Sequence, residues 1–391
     1  MDKQRTKLVV VTSYPIHSEP VVRNRLTSYF EELSSAGWQI TLVTPESGPE
    51  GRTEEALPSG LKSVKYIEPL QYDRSRFWSR GLNEIRFARR LCRAAYQIKA
   101  DAYLLTIPSV FLLLFLKRRK SWINIVDVRD LVWEYLPDRP FWKKAIKKCL
   151  TAYALQSLRK SDILAISNPG EIEYLKKRVP GRYNFMVSNG IGKDQFGRLS
   201  RLTKQSRSNG VLRVTYIGNV GLAQNLKTLV YAVAGYSELE VNIIGHGTDY
   251  PNVESEINEI GATNVFLHGR VPWNEVISWY EHSDVLYAQL SKDYETAMPS
   301  KLYEYLSTGL PVVYGGLGTA AEILSDFENV ELVRPDNPEE LRSVLLKKAQ
   351  EPELQRSEKN IAIIQDYFIR EDQVKRLTNE LNAIFSGYHR T

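Results

Sequence analysis

Lys301 and Glu304 stand three residues apart in the run Pro299-Ser-Lys-Leu-Tyr-Glu-Tyr-Leu-Ser-Thr-Gly309, which is followed by Leu-Pro-Val-Val. That pattern reads as a helix starting near Ser300, stopping at Gly309 and turning into a buried strand. A helix N-terminus presents unpaired N–H groups and the positive end of a dipole, so it suits a diphosphate. Lys301 adds a full charge there, and Glu304, one turn on, could accept hydrogen bonds from ribose hydroxyls. Taken alone, the same spacing equally describes a surface ion pair on an amphipathic helix. Two more segments could carry chemistry. Tyr216-Ile-Gly218-Asn219-Val-Gly221-Leu-Ala-Gln224-Asn225-Leu226 reads as strand, glycine loop and helix, and open α/β sheets bind ligands at such strand ends. Asp127-Val-Arg129-Asp130-Leu-Val-Trp133-Glu134 packs charge directly behind a strand.

The run PSKLYEYLSTGLPVV resembles the donor-binding helix of family 4 glycosyltransferases, especially the branch containing bacterial N-acetylfucosaminyltransferases of surface-polysaccharide synthesis. YIGNVGLAQNL resembles the matching loop of that branch, and the Arg-Asp-Leu-Trp stretch near its acceptor is similar to VRDLVWE here. The resemblance implies a GT-B fold and a retaining, metal-independent glycosyltransferase of hexosyl or N-acetylhexosaminyl type. The substrate would be a nucleotide diphosphate sugar, with a UDP-sugar favoured and no cofactor. The implied donor-binding set is Gly218, Asn219, Gln224, Asn225, Gly245, His246, Val271, Ser300, Lys301, Leu302, Tyr303 and Glu304. Arg129, Asp130, Trp133 and Glu134 fall on the acceptor side, and Asp130, Lys301 and Glu304 are the catalytic candidates. The acceptor would be lipid-linked or a saccharide.

The chain departs from that family at several points. Asn219 stands where many members carry Arg, and the position eight before Glu304 is Thr296 rather than a second Glu, with Glu295 one residue off. The loop after the first strand lacks the usual glycine pair and offers His17 and, further on, Arg23. These differences keep a non-catalytic nucleotide-sugar-binding or scaffolding subunit in play; a GT-B sugar-nucleotide epimerase, which can share the architecture, and a nucleic-acid-binding protein are the other rivals.

The elements that must position these residues are legible as apolar runs alternating with helical patterns: 7–12, 39–44, 102–106, 123–126, 163–167 and 185–188, then 213–217, 240–244, 265–268, 285–288 and 312–314. Such alternation predicts an α/β class with two doubly wound parallel sheets, and the resemblance sets them as Rossmann-like domains facing a cleft. The polar, glycine-bounded run 197–210 reads as a linker between an N-terminal domain, 1–196, and a C-terminal domain, 211–369. Residues 370–391 read as an amphipathic closing helix packing back on the N-terminal domain. Lys160-Ser-Asp162 and His282-Ser-Asp284, each leading into a strand, suggest either a coarse duplication or common strand-entry chemistry.

The chain has 391 residues and a net charge of +6. Residues 1–195 hold 33 Lys/Arg against 20 Asp/Glu, or +13, and residues 196–391 hold 19 against 26, or −7. The basic half points to an anionic partner, a phosphorylated lipid or membrane surface, while no nucleic-acid reading module is present. Aromatic and basic residues interleave at Arg74 to Arg93, including Phe77 and Trp78, and at Phe141-Trp-Lys-Lys-Ala-Ile-Lys-Lys148, as suits an anionic interface. No apolar run approaches the roughly 20 residues of a membrane span. Cys92 and Cys149 have no partner spacing, and no carboxylate or histidine cluster has metal-ligand spacing. A cytoplasmic location, peripheral on the inner face of the membrane, is the expectation.

Overall fold

The computed structural model describes residues 5–17, 19–46, 58–70, 77–107, 109–134, 136, 141–207, 210–295 and 297–388. Arg74, Arg76 and Thr296 lie outside them, as do the side chains of Phe77, Trp78 and Arg80. The chain divides into two compact units, residues 1–189 with 370–391, and residues 190–369.

The first unit runs β1 (Lys7–Val11), α1 (Pro20–Ser35), β2 (Gln39–Pro45), β3 (Leu61–Ile67), α2 (Phe77–Tyr96), β4 (Ala102–Ile107), β5 (Ile123–Val128), α3 (Phe141–Leu158), β6 (Ile163–Ile166), α4 (Pro169–Arg178) and β7 (Tyr183–Met186). The second runs α5 (Lys193–Leu199), β8 (Leu212–Ile217), α6 (Lys227–Val233), β9 (Leu239–Ile244), α7 (Tyr250–Ile260), β10 (Val265–Gly269), α8 (Trp273–Glu281), β11 (Val285–Gln289), α9 (Ser300–Thr308), β12 (Val312–Gly315), α10 (Gly318–Leu324), β13 (Val330–Val333), α11 (Pro338–Gln350) and α12 (Glu358–Tyr367). α13 (Arg370–Tyr388) belongs to the first unit.

Both sheets are parallel, ordered β3-β2-β1-β4-β5-β6-β7 and β10-β9-β8-β11-β12-β13. Each reverses direction beside its first strand, β1 or β8, and opens a crevice at the carboxyl ends there. The alternation of side chains sends Val9 and Val11 into one core and Leu8 and Val10 into another, so the sheet of the first unit is covered on both faces. α13 contributes Val374, Leu377, Leu381 and Phe385 to the second of these cores, and Trp38 Nε1 donates to Asn382 Oδ1 at 2.8 Å.

β3 and β13 were not anticipated from the sequence. Both are sheet edges, and Lys62, Lys65 and Glu331 break their apolar pattern because one side of an edge strand faces water. The boundary expected at 197–210 also needs correction, because α5 and the segment after it belong to the second unit. Phe196, Leu199 and Leu202 enter its core. Lys204 and Arg207 lie 3.7 Å from the buried Asp284 carboxylate, while Arg356 donates to the carbonyls of Ser200 and Leu202 at 2.8 Å. The polarity that suggested a free linker serves to pair a buried charge and to cap backbone carbonyls.

The two Ser-Asp passages share a role without marking a duplication. Asp162 Oδ2 accepts the N–H of Asn124 at the start of β5, and Asp284 Oδ2 accepts the N–H of Arg213 at the start of β8. Asp101, before β4, accepts the N–H of Lys7 in the same way. By sheet position Asp101, not Asp162, is the counterpart of Asp284, since β4 and β11 each pair with the first strand of their sheet.

The first unit is tied internally by Arg25 on α1 and Asp127 on β5, 1% and 0% exposed, with Nη2 and Oδ1 2.6 Å apart. Asp127 also accepts from Tyr29 and Thr106, and Arg25 donates to the carbonyls of Val187 and Ser188. Arg25→Met strands a buried carboxylate and is expected to lower the unfolding free energy by about 3–5 kcal/mol. Denaturant titration checks this; a loss below about 1 kcal/mol would mean that Asp127 finds another counter-charge.

Candidate functional site

In the second unit the carboxyl ends of β8, β9 and β10 are laced together by backbone: Gly218 N–H donates to Ile244 O at 2.9 Å and Gly245 N–H to Gly269 O at 2.7 Å. Gly245 has φ +145°, and a Cβ there would lie 1.7 Å from Gly218 O. A Cβ on Gly247 would fall 2.2 Å from Val220 O. This glycine pair is thus required by the contact between the β8 and β9 turns, whatever ligand the crevice takes.

α9 is set beside the end of β8 by Tyr305, whose hydroxyl accepts the Ile217 N–H at 2.8 Å and donates to Ile217 O at 3.1 Å. Its first residue is Ser300, which is exposed, and it stops at Gly309 in the left-handed region, φ +69°. Lys301 Nζ lies 2.7 Å from Glu304 Oε2, which also accepts from Tyr280 at 3.3 Å. Both partners are partly exposed, at 29% and 17%. The first turn therefore offers an ammonium, a carboxylate and helix-end N–H groups in one place. Leu302 and Tyr303, expected to touch a donor, are buried in the core, and the Leu302 N–H is taken by Pro299 O. Their side chains hold the helix down because they sit on its inward stripe.

The Asn219–Asn225 turn sits on the same crevice. Asn219 Nδ2 approaches Gln224 Oε1 at 3.4 Å, and Asn225, φ +36°, donates to Asp336 Oδ1 at 2.7 Å. Gln289, missed in the sequence, pins this turn: its buried amide donates to the carbonyls of Gln224 and Asn225 at 3.2 Å and accepts the Asp336 N–H. A single polar residue closing the apolar run Val-Leu-Tyr-Ala was the available signal. His246 is exposed and stacks on Tyr250 at 4.7 Å, and Val271 packs on the core. The Glu295 side chain is exposed, and its carbonyl accepts the Thr319 N–H at 2.8 Å.

In the first unit, Arg129 and Asp130 follow β5. Arg129 is 8% exposed, and its buried Nε has no hydrogen-bond partner. Burial, with Arg25 nearby, lowers its guanidinium from the ordinary range. Asp130 is half-buried on the same loop. Trp133, expected on the acceptor side, is instead 1% exposed in the hydrophobic core, because an indole flanked by Leu131 and the sheet buries more apolar area inside than at a crevice. Its Nε1 donates to Tyr174 at 3.3 Å, and the Tyr174 hydroxyl donates to Glu134. Burial pushes the Tyr174 hydroxyl up to about 12.

Sequence reasoning also missed Glu171, which is 1% exposed near the start of α4. Ser167 Oγ lies 2.7 Å from its Oε2, while Oε1 has no partner. Burial first, then Asp130, push its carboxyl up to about 8. The Asn168-x-x-Glu171 spacing of a capping box was its signal. Among the described residues, no group of three or more His, Cys, Asp or Glu could hold a metal ion.

The family model described as Glycosyl transferases group 1 matches residues 212–350. No curated protein matches the chain. Among solved structures, sucrose-phosphate synthase from Thermosynechococcus elongatus is similar at TM-score 0.74 and 14% identity, covering 98% of this chain and 100% of that one. The lipopolysaccharide outer core galactosyltransferase WaaB, in its apo form, gives 0.62 and 16%, covering 98% and 100%. Anabaena Alr3699/HepE, solved with UDP and glucose, gives 0.63 and 11%, covering 97% and 100%. The fold is therefore that of the GT-B glycosyltransferases, with two parallel-sheet Rossmann-like domains.

The buried carboxyl makes a pH prediction. Glu171 is raised from 4.5 to about 8 in the folded chain, so between those values the folded state holds a proton that the unfolded state releases. Its stabilising contribution is complete below about pH 4.5 and is lost as pH rises to about 8. Relative to Glu171→Gln, wild type should lose up to about 1.4 kcal/mol per pH unit across that window. Parallel pH dependences of unfolding free energy in the two proteins would show that Glu171 does not hold the proton.

Proposed function

We propose that this chain is a retaining, metal-independent glycosyltransferase that moves a sugar from a nucleotide diphosphate donor, a UDP-sugar by preference, to a saccharide or lipid-linked acceptor in cell-surface polysaccharide synthesis. The observation that carries the reading is the first turn of α9. Tyr305 holds Lys301, Glu304 and the helix N-terminus at the end of β8, inside the segment matched by the family model. UDP as the carrier is supported by the Anabaena protein solved with UDP-glucose, and a polysaccharide acceptor by the galactosyltransferase of the lipopolysaccharide outer core. The sugar is of hexosyl or N-acetylhexosaminyl type, and the motif resemblance favours the N-acetylfucosaminyltransferase branch.

In this reading the Lys301–Glu304 pair is the resting arrangement. A diphosphate at the helix N-terminus draws Lys301 toward its own charge, and Glu304 is released to accept from ribose hydroxyls. Lys301 and the helix dipole then stabilise the leaving diphosphate as the glycosidic bond breaks, a preorganised electrostatic role that a cation fills in other transferases. Gly218, Asn219, Gln224, Asn225, Gly245, His246 and Val271 would line the donor with backbone and short side chains. Asp130 would orient the acceptor hydroxyl or stabilise positive charge on the sugar, with Arg129 and Glu134 beside it on the acceptor side.

Thermal shift against UDP- and GDP-sugars tests the donor site. Ligand at about 100 times its Kd should raise stability by about 2.7 kcal/mol in wild type and far less in Lys301→Ala and Glu304→Ala. No shift with any nucleotide sugar would sink the reading; a shift without transfer to saccharide acceptors would leave a non-catalytic donor-binding subunit, and donor conversion without acceptor an epimerase.

A peripheral position on the inner, anionic face of a membrane is part of the same proposal, and nucleic acid is not a proposed partner. No helix among the described residues is long and apolar enough to cross a membrane. On α3, Phe141 is 85% exposed and Trp142 46%, with Lys143 Nζ 5.4 Å from the Trp142 ring, followed by Lys144, Lys147 and Lys148. Each such charge contributes about 1 kcal/mol at an anionic surface. Wild type should cosediment with phosphatidylglycerol vesicles and not with phosphatidylcholine, in a salt-sensitive way, and reversal of the four lysines to Glu should abolish it. Equal binding by the reversed variant would place the membrane contact elsewhere.

A further inference from the structure

A buried hydrogen-bond relay joins α4 to the loop that carries Arg129 and Asp130. Ser167 Oγ lies 2.7 Å from Glu171 Oε2 and 2.9 Å from the carbonyl oxygen of Arg129. A hydroxyl has one proton to donate, and a carbonyl can only accept. Both contacts are hydrogen bonds at once only when Glu171 supplies a proton: the neutral carboxyl donates to Ser167, and Ser167 donates to Arg129 O. With Glu171 ionised, the Ser167 proton serves one oxygen: turned to the carboxylate, which also draws on the Leu131 N–H, it leaves the Arg129 carbonyl without this donor, which is costly in a low-dielectric interior.

The surroundings favour the neutral form. Glu171 is 1% exposed and its Oε1 has no hydrogen-bond partner. The cap here is made by Asn168, whose Oδ1 accepts the Glu171 N–H at 2.9 Å. Of the groups that face Glu171, Asp130 on the loop after β5 opposes ionisation, while hydrogen bonds from Ser167 and the Leu131 N–H, and the charge of Arg25 on α1, favour it less strongly than burial opposes it. The favouring pull of Arg25 is blunted by its own ion pair with Asp127. On α4 itself Glu173, Lys176, Lys177 and Arg178 are exposed.

We propose that Glu171 is a proton-linked positioning residue: neutral, it locks the Arg129–Asp130 loop through Ser167, and on ionisation it releases the loop and the acceptor-side geometry with it. The functional half of this statement rests on the acceptor-side reading of Asp130.

The test follows the backbone amide resonances of Asp130 and Leu131 in the isotope-labelled full chain as pH is raised from about 6 to about 9. In wild type the two should titrate together; in Glu171→Gln, whose amide N–H replaces the donated proton, they should stay at their low-pH positions. In Ser167→Ala, which removes the relay and leaves the carboxyl, Asp130 should no longer follow. With a nucleotide sugar and saccharide acceptor, kcat of wild type should fall through the same range while KM for the donor holds, and Glu171→Gln should keep its activity. If the amides titrate as stated but no sugar is transferred at any pH, the relay stands and the transferase reading fails. Amides that stay still in wild type, or that still titrate in Glu171→Gln, overturn the relay itself.

Discussion

The buried ion pair of Arg25 and Asp127 is the constraint around which the first unit is arranged. Asp127 sits at 0% exposure on β5, so its charge must be answered from several directions, and it is met by α1 through Arg25 and Tyr29 and by β4 through Thr106. Arg25 then spends its remaining donors on the carbonyls of Val187 and Ser188, just past β7. A pair of this kind adds little net stability against an apolar replacement, but its fixed geometry admits few alternative packings. It fixes where β5 ends, and so where Arg129 and Asp130 emerge. The raised carboxyl of Glu171 and the lowered guanidinium of Arg129 both follow first from burial, with Asp130 adding to the one and Arg25 to the other.

The second unit reaches the same topology by different means. Its crevice is shaped by backbone lying on backbone, where Gly245 and Gly247 press against the β8 turn, and by neutral side chains, Tyr305 and Gln289, that bond to main-chain groups. Asp284, at 0% exposure, sits at the opposite end of the sheet, answered by Arg213, Lys204 and Arg207. The formal charge at the crevice is therefore concentrated in few groups, Lys301 and Glu304 foremost, which a charged ligand can re-pair without dismantling the fold.

Aspartates 101, 162 and 284 show how one physical need produces a repeated sequence sign. Each precedes an interior strand and accepts the N–H of the first or second residue of a neighbouring strand. The Ser-Asp passages looked like a duplication because the need recurs wherever a parallel strand begins beside another, and Asp101 meets it without the serine.

The sequence by itself determined the periodicities, and through them the interior strands, the α/β class, the glycine stop of α9 and the candidate turn at Ile217 to Leu226. These are local properties, set by which residues can alternate on a buried sheet, end a helix or take a positive φ. It also placed Lys301 and Glu304 on one helical face, since residues three apart must share it. Only the tertiary structure decided what each polar residue is for. Lys204 and Arg207 read as part of a polar linker until Asp284 is brought to them from a distant position. Trp133, Leu302 and Tyr303 read as site residues until packing turns them inward, and Gln289 and Glu171 were silent until burial removed water as their partner. The reason is common to all of them: a hydrogen bond or a desolvation cost belongs to a pair of groups and their shared surroundings, and those pairs are joined across the fold.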